Sequence, residues 1–264
     1  MRYAISTLCS LSMRVSWFFA PIPLESFRGP RCLRGKNVRA SHYDLMLAAD
    51  APPGPTLSTP KLRGRIHQVA VPAAIVGLVV IVTSAATPLA RAAAWIYGIS
   101  MVALYAVSSS YHVMARSGLA RSILRRLDHA MIYVLIAGTY TPLCLLALPQ
   151  PLGLRICGAI WAAAFVGVYL RIATPSRWSW LAHTWYFVLG VAILPWIGEL
   201  NLTGMAMTVI AMAGATYAIA AILFFCHIPH KTASWFGYHE LWHTLGVIAG
   251  IVLFVVNYQI IAGS

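Results

Sequence analysis

Seven long apolar runs, divided by short polar or basic breaks, decide what this chain can fold into. They cover roughly Ile66–Thr87, Ala92–Met114, Leu127–Leu148, Leu152–Leu170, Trp180–Ile197, Gly204–Phe225 and Tyr238–Ile261. A bilayer's hydrocarbon core takes about 20 helical residues to cross, and each run has about that length. The expected fold is an all-α integral membrane protein, a bundle of seven transmembrane helices. Composition excludes the main alternatives. Of 264 residues, 60% are hydrophobic and 9% are charged, whereas a soluble domain carries about 25% charged residues. The chain is also far too apolar to be disordered.

Charge then orients the bundle. Nineteen Lys and Arg against six Asp and Glu give a net charge of +13. In a soluble protein that excess would point to nucleic acid, but here the positive-inside rule accounts for it and no nucleic-acid partner is expected. With the N-terminus inside, the inner segments hold Lys61, Arg63, Arg65, Arg116, Arg121, Arg125, Arg126, Arg171, Arg177 and Lys231, and the outer ends hold Arg91 and Arg155. The asymmetry predicts a cytoplasmic N-terminus, an outside C-terminus and a multi-pass protein of the plasma membrane. A bundle of this size can stand alone as a monomer, and the sequence does not set its oligomeric state.

Residues 1–60 differ from the rest. They are rich in proline and hold Arg2, Arg14, Arg28, Arg31, Arg34, Lys36 and Arg39. Arg14 interrupts the only apolar stretch, which argues against a signal peptide. The expected division is a disordered basic extension over 1–60, or a natural start at Met46, followed by a membrane domain over 61–264. Cys9, Cys32, Cys144, Cys157 and Cys226 form no CxxC and are expected to be inert thiols, the last three buried.

Ionisable groups inside membrane spans are costly and are functional candidates. After Pro60 only Asp128, Glu199 and Glu240 are acidic. Ser108 and His112 are spaced i,i+4 near the end of span two, and His239 and His243 are spaced i,i+4 near the start of span seven, so each pair shares a helix face. Asp128 opens span three, where it could also serve as a helix-start charge. The expected topology puts all five groups near the cytoplasmic leaflet. Three imidazoles and a carboxylate in one layer suit zinc, which favours nitrogen ligands and keeps one position open for water in catalytic sites.

Other residues are read more plainly. His239-Glu240-Leu241-Trp242-His243 matches H-E-x-x-H, the signature of zinc proteases. No further histidine or acid follows it, so a salt bridge or helix-start charge suits Glu240 better. His129 is expected to point about 100° away from Asp128 and to pack or to support a ligand. His67 and His183 begin spans at the inner leaflet, where structural placement is the expected role and orientation of a ligand the alternative. His227 and His230 are expected in solvent. Trp95, Tyr97, Trp178 and Trp180 fit an aromatic belt.

The ordered motifs carry a resemblance. Ser108-Ser109-Ser110-Tyr111-His112, Arg126-Leu127-Asp128-His129-Ala130-Met131-Ile132-Tyr133, Ala137-Gly138-Thr139-Tyr140-Thr141-Pro142 and Phe236-Gly237-Tyr238-His239-Glu240-Leu241-Trp242-His243 resemble the hemolysin III family, within the progestin and adipoQ receptor superfamily. The resemblance covers about Leu62 to the C-terminus. It implies seven helices, a cytoplasmic N-terminus and a Zn2+ site near the inner leaflet, with His112, His239 and His243 at the metal-ligand positions and Ser108 and Asp128 beside them. The segment Arg65-Ile66-His67-Gln68 matches the family's Thr-His start of helix one only loosely.

Eukaryotic relatives are similar to ceramidases, which hydrolyse a lipid amide. The resemblance therefore implies a zinc-dependent hydrolase of a membrane lipid amide or ester. Asp128 would orient or deprotonate water, and Ser108 would bond the water or the developing oxyanion. The alternatives are a non-enzymatic regulator of membrane state with structural zinc, and a cytolysin.

Overall fold

A computed structural model describes residues 60–173, 179–229 and 235–264. The expected extension, apart from Pro60, lies outside the described residues, as do Cys9, Cys32, Arg177, Trp178, His230 and Lys231. Among the described residues the chain forms seven long helices and no strand. They are α1 (Arg65–Thr83), α2 (Pro88–Ser109), α3 (Gly118–Pro142), α4 (Leu152–Ala173), α5 (Ser179–Gly190), α6 (Gly204–Phe225) and α7 (Tyr238–Ala262). Wider terminal turns extend α2 through Ser110–Met114 and α3 through Leu143–Ala147. A tighter helical segment, Leu194–Glu199, follows α5. All seven, with these extensions, are long and apolar enough to cross a membrane.

Local chemistry sets the helix starts. Thr87 caps α2 through Ala90 N at 3.2 Å, with Pro88 next to it. Ser117 caps α3 through Ala120 N, and Thr203 caps α6 through Ala206 N, both at 3.2 Å. Each cap satisfies one of the amide groups that a first helical turn leaves unpaired. The Ser117 cap starts α3 well before the expected Leu127. Arg121, Arg125 and Arg126 therefore lie on the helix, and Asp128 sits in its third turn. The helix-start role considered for Asp128 is thereby corrected.

Small residues let the helices approach closely, as membrane packing requires. Ala90, Ala93, Ala94, Ala130, Ala137, Ala213 and Ala220 are fully buried. At Gly138 of α3 a Cβ would overlap the Ser100 side chain of α2. Large apolar side chains instead cover the outside. Val69, Val76, Ile99, Phe165, Met205 and Ile251 are all exposed, a distribution suited to contact with lipid. Helix α7 packs against α6, α1, α2 and α3 and so occupies the middle of the bundle.

Aromatic side chains tie α5 to its neighbours through backbone carbonyls. Tyr133 donates to Ala182 O at 2.5 Å, Tyr140 to Gly190 O at 2.5 Å, Tyr186 to His129 O at 2.9 Å and Trp185 to Ala163 O at 2.8 Å. Trp95 and Trp180 are exposed, as an aromatic belt requires. Tyr97 is not part of that belt. It is 1% exposed inside the bundle, near Phe254. Cys144 and Cys157 are buried free thiols, but Cys226 is exposed, contrary to expectation.

Candidate metal centre

The end of α2 is shaped by its serines. Ser109 and Ser110 both donate to Ala106 O, at 3.1 and 2.7 Å. Side-chain bonds of this kind compete with the helical ladder. Beyond them the turn widens, and Ala115 N reaches back five residues to Ser110 O at 3.1 Å. His112 lies in this wider turn, a type of distortion that recurs at functional sites. The chain entering α1 presses on it from the other side. Gly64 has φ 76°, and a Cβ there would overlap His112 Cβ.

His112, His239 and His243 converge. Their ligand-capable atoms all lie within 4.8 Å of one another. His112 Nε2 and His239 Nε2 are 3.3 Å apart. Two nitrogens bound to a tetrahedral ion at about 2.0–2.1 Å would lie about 3.3–3.4 Å apart. His243 is buried, and its Nε2 has no hydrogen-bond partner. A buried imidazole nitrogen without a partner, on a residue clustered with two other histidines, is the donor set a zinc-like ion needs. These residues fit a metal ion.

Asp128 Oδ2 stands 4.0 Å from His112 Nε2 and 3.8 Å from His129 Nδ1. His129 Nδ1 also contacts Arg125 O at 2.7 Å, so His129 supports the helix face next to Asp128. Ser108 is fully buried beside the Asp128 carboxyl, and its hydroxyl makes no well-formed hydrogen bond. The five residues singled out from sequence thus meet at one end of the bundle.

Glu240 is paired with a cation. Its side chain is fully buried, and its Oε1 accepts from Arg63 Nε at 2.8 Å, while Oε2 is buried without a hydrogen-bond partner. That is the salt bridge expected of it. His183 packs near Tyr186 and Phe225, and His227 is exposed. His67 was expected mainly as a structural residue. Its Nε2 lies 3.2 Å from His243 Nδ1, a contact that no spacing rule reveals because the two residues lie on different helices.

Seven membrane-spanning helices with a partly buried three-histidine cluster at one end define a polytopic membrane protein with a metal-capable centre. Comparison with known proteins places it more closely. Residues 56–254 match the family model described as "Haemolysin-III related", and the chain belongs to that family. It is 33% identical to "Hemolysin-3" of Bacillus cereus over 183 residues, 68% of this chain and 79% of the relative. It is 31% identical to "Hemolysin-3 homolog" of Bacillus subtilis (strain 168) over 170 residues, 62% of this chain and 75% of the relative. A human protein, "Monocyte to macrophage differentiation factor", is 25% identical over 168 residues, 60% of this chain and 66% of the relative.

Proposed function

We propose that this chain is a zinc-dependent hydrolase of a membrane lipid amide or ester, working near the inner leaflet of the plasma membrane. The observation that carries the reading is the convergence of His112, His239 and His243 within 4.8 Å, with a carboxylate held just outside it. The three imidazoles would hold the ion. Zinc bound there would supply Lewis acidity, acidifying a water and polarising a carbonyl.

The remaining chemistry belongs to the chain. Asp128 takes a proton from the attacking water and returns it to the leaving nitrogen or oxygen. The Ser108 hydroxyl donates to the oxygen on which negative charge develops. Its burial beside the Asp128 carboxyl supports that role. The substrate enters sideways between helices, with its scissile bond near the headgroup. The excess of basic residues on the helix ends and loops assigned to this side by the sequence supports the cytoplasmic face.

Structural zinc in a non-enzymatic regulator is the competing reading, because the histidines tie α2 to α7. In it Asp128 completes the coordination or supports it from outside, leaving no free water. Asp128 Oδ2, 4.0 Å from His112 Nε2, lies within the same range as the histidine ligand atoms, so metal content of an Asp128→Asn variant separates the two readings. The test is to purify the chain in detergent and measure bound metal by mass spectrometry. Fatty-acid release from a labelled ceramide and from an ester analogue is then followed with and without a chelator. One zinc per chain and chelator-sensitive release are expected. Zinc without release from either lipid leaves the structural reading, and absence of zinc from folded protein removes both.

A further inference from the structure

We infer that His67 is a positioning residue for the metal centre: it accepts a hydrogen bond from His243 Nδ1–H and so holds the His243 ring with Nε2 aimed at the ion. The inference rests on the metal reading above and adds a residue from α1 to a centre otherwise built from α2, α3 and α7.

The two nitrogens of His243 differ in their surroundings. Nε2 is buried and unpartnered, whereas Nδ1 is 3.2 Å from His67 Nε2. An imidazole that gives one nitrogen's lone pair to a metal carries its proton on the other, which must then donate. His67 Nε2 is the atom placed to accept. This assigns both tautomers: His243 protonated at Nδ1, and His67 protonated at its own Nδ1. The latter is buried and has no hydrogen-bond partner. The rings meet edge to face, with centroids 4.1 Å apart and planes at 72°. The nearby Tyr105 ring, 5.0 Å from that of His67, confines it further.

The backbone explains why His67 is held there. Gly64 turns the chain at φ 76° against His112, and Gln68 N donates to Gly64 O at 3.0 Å to close the first turn of α1. One turn before His67, Arg63 grips Glu240 of α7 at 2.8 Å. Arg63, just ahead of α1, and His67, in its first turn, therefore meet Glu240 and His243, spaced i,i+3 on α7. A side chain used only for packing at this position would be served by an apolar residue, because an unpaired buried donor is unfavourable.

The test compares wild type, His67→Phe and His67→Gln. Phe keeps the ring volume and removes the acceptor, while Gln places a carboxamide oxygen near the position of Nε2. Zinc affinity is measured in detergent by competition with a chelator, and thermal unfolding of the metal-free forms reports on folding. Visible absorption of the cobalt-substituted proteins reports on ligand geometry. His67→Phe is expected to weaken zinc binding by about 10–100-fold and to alter the cobalt spectrum, with His67→Gln recovering most of the loss. If the Phe variant fails to fold, His67→Asn, too short to reach His243, takes its place with the same expectation. Equal affinity in wild type and the Phe variant overturns the inference, as does an equal loss in the Phe and Gln variants. A folded wild type without zinc overturns the metal reading and this inference with it. A zinc-loaded wild type with an unaffected Phe variant overturns this inference alone.

Discussion

His112 Nε2 and His239 Nε2 lie 3.3 Å apart although 127 residues separate them in the chain. Without an ion, that spacing lets one proton bridge the pair as a hydrogen bond. With an ion, both nitrogens present lone pairs at nearly the same separation. That pair is therefore spaced for a common ion before one binds.

The first prediction follows from that geometry. Alanine at His112, His239 or His243 should each reduce bound zinc from one per chain to near zero, read by mass spectrometry of the purified protein. Because zinc favours the folded state by mass action, its removal should also lower thermal stability. The loss should be about 2.7 kcal/mol when free zinc had stood at 100 times Kd. The three alanine variants should show no such chelator-dependent shift.

Arg63 and Glu240 give an asymmetric prediction. The Glu240 side chain is fully buried, whereas that of Arg63 is 21% exposed. Arg63→Ala leaves a carboxylate buried without its partner and should cost about 3–5 kcal/mol. Glu240→Gln leaves an arginine that can turn toward water, and the loss should be about 1–2 kcal/mol. Denaturant unfolding in mixed micelles would measure both. The same Gln variant, once folded, should keep its zinc and any hydrolytic activity, since a salt bridge to Arg63 already occupies Glu240 Oε1. Abolished activity with zinc retained would instead revive a general-base role for Glu240.

Gly64 should not tolerate a side chain. Its φ of 76° lies in the left-handed region, where alanine is strained by about 1–2 kcal/mol. A Cβ there would also overlap His112 Cβ. Gly64→Ala should therefore lower stability and weaken zinc binding together, because relieving the overlap displaces a ligand. A stability loss with unchanged zinc affinity would show that α1 shifts instead of His112.

What the sequence made legible was the part governed by local rules. The limits of α6 were read correctly because an apolar run begins beside a threonine that caps the helix. His112, His239 and His243 were legible because i,i+4 spacing fixes a helix face and alternating topology fixes the end of the bundle. The start of α3 was not, because Arg121, Arg125 and Arg126 hide a helix that continues beyond its apolar stretch. Tyr97 was misplaced for a related reason: aromatic residues near span ends look alike until packing decides which face is buried. The contacts of His67 with His243 and of Arg63 with Glu240 depend on how α1 sits against α7. Nothing local encodes that arrangement except Gly64, whose positive φ is visible only in the fold.

Asp128 and Ser108 separate binding from chemistry. In the proposed hydrolase Asp128 moves a proton rather than binding the ion, so Asp128→Asn should keep close to one zinc per chain. If the carboxylate moves the proton, the same variant should lose lipid hydrolysis by about 10²–10⁴-fold. Ser108→Ala removes a buried hydroxyl that has no well-formed hydrogen bond. It should leave thermal stability unchanged or slightly raised, yet slow hydrolysis by about 10²–10³-fold if the hydroxyl stabilises the oxyanion. The ratio kcat/KM for a labelled ceramide, measured beside metal content and unfolding temperature, checks all of these together. Zinc lost in Asp128→Asn would make the carboxylate a ligand and turn the centre into a structural clamp between α2, α3 and α7. Zinc retained with activity lost would place the proton transfer on Asp128.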